Sequence, residues 1–562
     1  MCKLILVLAV AAGGPISIPK SWSARERDAA EDVTASVLAA HVRFLADDLL
    51  EGRAPASRGG ELAVRYIASE YERMGLRPAG DQGGWLQKFD IVGLKTELSA
   101  LPTFRASGGG APLVLHPPSE VIVGPGMQSE STSVQAAEVV FVGYGIVAPE
   151  QRWDDFKDVD VRGKVLLVMN NDPADDPALF AGKTRLYYGR WTYKYEQAAR
   201  KGAAGVIIIH TTPSAGYPWQ VVQSSWGGEG FELPAGPVEQ RLQVKMWATE
   251  EASRKLAALA GHDLDELRRR AERRDFRPVP LGVKMSVGLR TRVRRLQTAN
   301  VLGLLPGGDA RLGQQVVIYS AHHDHLGMRE PKGGDGIYNG ALDNASGVAA
   351  MLSIAAGLTE AKPRPKRSIL FAAVAAEESG LLGSEYFCAH PTVPAGRIAA
   401  NLNIDGINIW GRTRDVTYIG LGKSTLDQVV RTAAGQQGRV VRPDQFPDRG
   451  HFYRSDQFSF ARIGVPAVYL EYGTDFLGHE PQWGRERIEE YERLRYHQPS
   501  DQIDASWNLE GAVDDVRLLL VVGLRVADAH ELPAWRPGDE FEAARKRALE
   551  EAGALGPGIG RH

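Results

Sequence analysis

The sequence predicts an α/β protein: a mixed, mostly parallel central sheet flanked by helices, with a β-rich domain inserted into it. Three observations carry this. From "TANVLGLLPG" onward, apolar runs that stop on polar or charged residues alternate with stretches of helical periodicity, the pattern of strands and crossover helices in one sheet. Between residues 118 and 280 the texture changes to short β-type runs separated by Gly, Pro and Asp. A chain of 562 residues also exceeds what one hydrophobic core accommodates, so a second domain is expected, inserted or appended.

The chain starts "MCKLILVLAVAAGG", with one Lys, a short apolar run and Ala-Val-Ala ahead of small residues. That is the layout of a secretory signal peptide, assigned to residues 1–22 and too short to span a bilayer; a buried N-terminal strand is the alternative. The expected location is periplasmic or extracellular, with no membrane span. Cys2 precedes the apolar run, so no lipoprotein cleavage site is read there. Removal of the segment leaves Cys388 as the sole cysteine and no intrachain disulfide.

Next, "ASVLAAHVRFLADDLLEGR" and "GGELAVRYIASEYERMGLRPAG" repeat apolar residues at helical spacing and predict two opening helices. Within 118–280, "AEVVFVGYGIV", "GKVLLVMN" and "AAGVIIIH" read as strands. The basic run "LRRRAERRDFR" that follows is interleaved with acidic residues and reads as a solvated helix face. Lys+Arg 66 nearly balances Asp+Glu 69, and a net charge of −3 argues against nucleic acid or an anionic membrane as the main partner.

The chemistry concentrates where apolar runs end. "VVIYSAHHDHLG" puts His322 and Asp324 at the carboxyl end of a strand, the edge on which open α/β sheets build their sites. "NGALDNASGVAAMLSIAAGL" places Asp343 in a tight turn before a helix, with Asn344 or Ser346 as its N-cap. "RSILFAAVAAEESGLLGSEYF" stops a buried strand on Glu377 and Glu378, two adjacent carboxylates that repel each other and need a cation or a proton. "IAANLNIDGINIWG" closes another strand on Asp405, and "LRYHQPSDQID" supplies His497 and Asp501 in a Pro-containing loop. Imidazole and carboxylate donors without thiolate suit zinc, with manganese or cobalt as substitutes, and one aspartate can bridge two ions.

In this order the motifs "HHD", "GALDNASG", "AAEESGLLGS", "NLNIDG" and "YHQPSD" resemble the di-zinc exopeptidases of metallopeptidase family 28. That family includes bacterial leucyl aminopeptidases and, more distantly, glutamate carboxypeptidase II and the transferrin receptor. The resemblance implies the zinc exopeptidase fold over 30–117 and 281–535, a protease-associated domain over 118–280, and a C-terminal tail from 536 to 562. It implies two zinc ions: one on His322 and Asp405, the other on Glu378 and His497, with Asp343 as the bridge. Glu377 becomes the general base, Asp324 the carboxylate that orients the His322 ring, and Tyr453 a residue near the substrate carbonyl. It further implies a cis peptide between Asp343 and Asn344. Two positions depart from the family's common forms: Leu342 stands where an acid is frequent, and Gln457 where His is frequent.

The implied activity is an aminopeptidase acting on peptides. A carboxypeptidase is the alternative, with Arg454 and Arg412 as candidates to hold a terminal carboxylate. A cyclase-like transferase on the same fold would bind one zinc, and a non-catalytic, receptor-like homologue would be expected to lose ligands, all five of which are present. The insert, whose "AGYPWQVVQSSWGGEGF" carries Trp and Tyr, is expected to roof the cleft and limit what enters; a remote binding or stability module is the other reading.

Overall fold

A computed structural model describes residues 17–236, 239–331 and 334–554. The proposed leader therefore lies outside the described residues over 1–16; at its end, Trp22 is 1% exposed in the core.

One half of the central sheet runs in the order Val440–Pro443, Asp415–Ile419, Ala467–Tyr472, Ile398–Asn403, Val316–His322, Ser368–Val374, Val279–Leu305. Val316–His322 pairs in parallel with both of its neighbours, and Ile398–Asn403 in parallel with Ala467–Tyr472. Asp415–Ile419 and Val279–Leu305 make antiparallel pairings towards the two edges, so the sheet is mixed and mostly parallel, as expected. Strands Val316–His322, Ser368–Val374 and Ile398–Asn403 are buried along their whole length, which is why they read as unbroken apolar runs.

Helices cover both faces. Ser346–Glu360, Glu510–Asp528, Ala24–Glu31 and Ala35–Leu45 pack on one, while Leu382–Ala389 and Gln457–Arg462 pack on the other. The stretch Ala341–Glu360 has the length and hydropathy of a membrane span, yet 89% of it is buried inside the fold, so it is a core helix. The described part of the C-terminal segment, to residue 554, carries the helix Glu542–Ala554; Trp535 and Phe541 are buried and Arg545 donates to Ile398 O at 2.9 Å.

The insert continues the same sheet. Beyond Val279–Leu305 follow Ser131–Phe141, Val165–Met169, Gly205–His210, Val244–Thr249 and Val121–Pro125. Two long strands, Leu86–Ala106 and Val279–Leu305, run antiparallel to each other from one body into the other. Phe104, Leu115, Val283, Met285 and Leu289 consequently share the insert's apolar core, so the bodies meet along these strands instead of at a flexible linker.

The opening segment is fastened to the sheet edge by Arg53, which is 1% exposed. Its guanidinium donates to the carbonyls of His323 (3.0 Å), Asn339 (2.6 Å), Gly340 (2.9 Å) and Leu45. Burial pushes this guanidinium down to about 10, against the opposing pull of Asp324, Asp343, Asp501 and Glu378. Arg53→Met should leave several buried carbonyls without donors and cost about 3 kcal/mol or more; thermal unfolding should register it as a clear fall in Tm, and a variant as stable as the parent would show that water replaces the guanidinium.

Candidate metal centre

Topology brings the residues together. From Val316–His322 the chain crosses to Ser368–Val374 on one side and then returns to Ile398–Asn403 on the other, so the order of connection reverses beside the central strand. Ligand sites of open α/β sheets form outside the carboxyl ends of the strands at such a point. His322 is the last residue of its strand, Glu377 follows Val374 by three residues, and Asp405 follows Asn403 by two. Asp343 precedes the helix Ser346–Glu360, and His497, with φ 56°, follows the helix Trp483–Leu494.

The five expected ligands and the expected base converge. His322 Nε2 lies 3.3 Å from Asp343 Oδ1, 3.4 Å from Asp405 Oδ1 and 4.0 Å from Glu377 Oε2. His497 Nε2 lies 3.1 Å from Asp343 Oδ2 and 3.1 Å from Glu378 Oε2. Asp343 thus turns one carboxylate oxygen to each histidine. The bond between Asp343 and Asn344 is cis.

The supports are local and specific. Asp324 Oδ1 accepts from Glu377 N at 3.1 Å, and His322 Nδ1 faces Asp324 O at 3.2 Å and Oδ1 at 3.8 Å, which fixes the ring within its own loop. Asp501 accepts from the backbone N–H of Leu342 and of Asp343, both at 3.1 Å. Asn344 Oδ1 accepts from Gly347 N and Gly406 N, both at 2.9 Å, capping the helix start and tying it to the Asp405 loop. Gln457, at the departing position, accepts from Asn403 Nδ2 at 2.8 Å and donates to Phe452 O at 2.9 Å, a packing role behind the strand.

Electrostatics separates the two glutamates. Burial pushes the Glu377 carboxyl well above the carboxylate range, with Glu378, Asp405 and Asp456 adding to the rise against the opposing pull of His322. Burial and Asp343 also push Glu378 up, but His497 and His325 outweigh them and hold it at about 2. Burial alone would lower His497, yet Glu378 and Asp343 raise it to about 9. Asp324 and Asp501 are both lifted to about 6 by burial.

The donor set fits divalent cations. Two groups of donor atoms, His322–Asp343–Asp405 and His325–Asp343–Glu378, each lie within 4.8 Å of one another and share Asp343. Glu378 Oε1, Asp324 Oδ2 and both ring nitrogens of His325 are buried without an aligned hydrogen bond, although His325 Nδ1 is 2.6 Å from Glu378 Oε1. Buried polar atoms are normally satisfied, so these donors fit a divalent cation.

His325 is the residue that sequence reasoning passed over: it sits in "HHDH" itself, but alternation along an extended segment favours His322 and Asp324. Arg53 was equally hidden, because it acts through backbone carbonyls, whereas Asp501, visible beside His497 in the sequence, turns out to hold the backbone of Leu342 and Asp343. Tyr453, expected near the substrate carbonyl, lines the same large cavity as Glu377 and Glu378. Its hydroxyl donates to Glu540 Oε1 at 2.7 Å and its ring packs with Phe458 and Phe541. Leu342, Tyr469 and Tyr491 instead face the cluster across a cavity of about 120 Å³ that also touches Asp343, Glu377 and Asp405. A larger cavity of about 1000 Å³ opens on Glu377, Glu378 and His497, and Arg190, Trp191 and Trp226 of the insert form its far wall. Arg412 lines neither cavity and pairs with Asp514 at 2.8 Å.

Residues 300–521 match the sequence model of Peptidase family M28. The leupeptin-inactivating enzyme 1 of Streptomyces exfoliatus is 28% identical over 208 residues, 36% of this chain and 43% of that protein. Aminopeptidase NAALADL1 of Rattus norvegicus is 28% identical over 236 residues, 34% of this chain and 30% of that protein. The chain therefore covers less than half the length of these curated relatives. An aminopeptidase structure from Aneurinibacillus sp. strain AM-1 superposes with a TM-score of 0.52 at 19% identity, over 92% of this chain and 97% of the other, which establishes a shared fold. His322, Asp343, Glu377, Glu378, Asp405 and His497 all fall inside the segment that matches Peptidase family M28.

Proposed function

We propose that the chain is a zinc-dependent exopeptidase that releases N-terminal residues from peptides, with Glu377 as general base. The observation that carries this is the division of the Asp343 carboxylate between His322 and His497, which sets two donor groups side by side. Two divalent ions held there would acidify a water and polarise the scissile carbonyl. Glu377 borders both cavities, so it is placed to take a proton from water and deliver it to the leaving amine. Glu378, held ionised beside it, serves as a ligand; one pair of neighbouring carboxylates is split into two roles by environment. The two cavities differ as an exopeptidase requires. The smaller one, closed by Leu342, Tyr469 and Tyr491, suits a single terminal side chain, with Asp405 and Glu471 available to an α-ammonium. The larger one suits the rest of the peptide. The leader-like start supports export, to the periplasm or the exterior.

One feature favours a second reading, a substrate that ends in a carboxylate close to the scissile bond. Arg190 and Arg454 line the large cavity, and neither forms an ion pair among the described residues. Arg454 instead donates to Tyr496 Oη at 3.2 Å and lies over the Tyr217 ring, while Arg190 lies over Trp191. Carboxypeptidase action, or aminopeptidase action confined to very short peptides, would use these cations.

Glu377→Gln should keep its metal and lose about 100-fold to 10,000-fold in turnover; a fully metallated variant with parental rates would move the base elsewhere. Dialysis against a chelator should abolish activity and lower Tm, with zinc restoring both, because an ion bound only by the folded state adds about 4 kcal/mol at a thousandfold excess over Kd. Equal stability with and without zinc would argue against a metal in the buried cluster. Arg454→Met should raise KM for dipeptides with a free carboxylate more than for their C-terminal amides. An identical change for both would leave the aminopeptidase reading alone.

A further inference from the structure

Resting on the metal reading above, we propose that Ser225 of the insert is a positioning residue for His497, so that the inserted domain helps build the metal site it roofs. Ser225 Oγ lies 2.8 Å from His497 Nδ1, across 272 residues of chain. On the opposite edge of the same ring, Nε2 faces Asp343 and Glu378, each at 3.1 Å. A ring that ligates through Nε2 carries its proton on Nδ1 and must give it to an acceptor, which fixes both tautomer and orientation. For His322 that acceptor is in its own loop, at Asp324 O. His497 has no such local partner: among the described residues, the hydrogen bond recorded at its Nδ1 is the one to Ser225.

The serine is held in place by its helix. Trp219–Trp226 is anchored inside the insert by Trp219 Nε1 and Gln223 Nε2, which donate to Pro118 O at 3.0 and 2.8 Å. It also meets the His497 loop through Gln498 Nε2, 3.4 Å from Ser224 Oγ. Tyr496 packs against the His497 ring at 3.9 Å between centroids with a tilt of 31°, and the hydroxyl holds the ring edge opposite Nε2. Seating of this helix and retention of an ion at the Glu378–His497 half are therefore linked, and the link is reciprocal: filling that half should hold the helix down.

The test uses the full chain stripped of metal, as parent, Ser225→Val, Ser225→Thr and Gln223→Ala. Val and Thr have nearly the same shape and differ by the hydroxyl, so the pair separates hydrogen bonding from packing. Zinc affinity is read by competition with a chromogenic chelator, and amide hydrogen exchange is followed in 219–226 with and without zinc. Ser225→Val should weaken one of two bound ions by about 10-fold to 100-fold and leave the other unchanged, with Ser225→Thr close to the parent. Zinc should slow exchange in 219–226 in the parent and in Ser225→Thr, but not in Ser225→Val. The proposal is overturned if Val and Thr bind zinc alike, or if Gln223→Ala, which loosens the helix that carries the hydroxyl, speeds exchange in 219–226 yet leaves zinc affinity at the parent value. A parent that takes up no zinc would overturn the metal reading itself, and this inference with it.

Discussion

The constraint on which the rest depends is the concentration of negative charge in a buried place. Asp324, Asp343, Glu377, Glu378 and Asp405 meet at the carboxyl edge of the sheet, where Asp324 is fully buried and Glu378 has 6% of its side chain exposed. A carboxylate taken out of water costs several kcal/mol unless a cation or a proton accompanies it. The imidazoles of His322 and His497 and the Arg53 guanidinium offset part of that charge, and the orphaned oxygens and nitrogens of Glu378, Asp324 and His325 mark where the offset stops. Zinc bound on the donor groups around Asp343 would complete it.

The geometry follows from topology more than from any single loop. Adjacent parallel strands present their carboxyl ends to one edge, and the reversal of chain direction around Val316–His322 leaves a crevice there. Within that frame, buried charged side chains hold the backbone that carries the reactive ones: Asp501 the N–H groups of Leu342 and Asp343, Asp324 that of Glu377, Arg53 three carbonyls around the His322 and Asp343 loops. Charge and scaffold support each other. The carboxyls that orient the backbone are themselves buried, so loosening the scaffold would expose the charges it confines.

The insert belongs to this arrangement. It shares two long strands with the catalytic body, supplies one wall of the larger cavity and places a hydroxyl on the ring of His497. Arg190 of the insert and Arg454 of the other body line that cavity together with Glu377 and Glu378, so it offers both cationic and anionic partners. Peptides are polar in the same sense, with an ammonium at one end and a carboxylate at the other.

What the sequence determined by itself was the set of strand ends and the chemistry on them. Buried parallel strands must be apolar along their length, so a His, Asp or Glu that stops such a run is visible in one dimension, and His322, Glu377, Glu378 and Asp405 were legible for that reason. Asp343 and His497 became legible through the order of motifs and the family they resemble, since neither closes a strand. Hidden from the sequence were the contacts that join distant segments: Arg53 on the carbonyls of Asn339 and Gly340, Ser225 on His497, Tyr453 turned to Glu540, and His325 turned to Glu378 in place of solvent. Periodicity reports which face of an element is buried, whereas hydrogen bonds between segments hundreds of residues apart depend on angle and distance, and only the packed tertiary structure decides those.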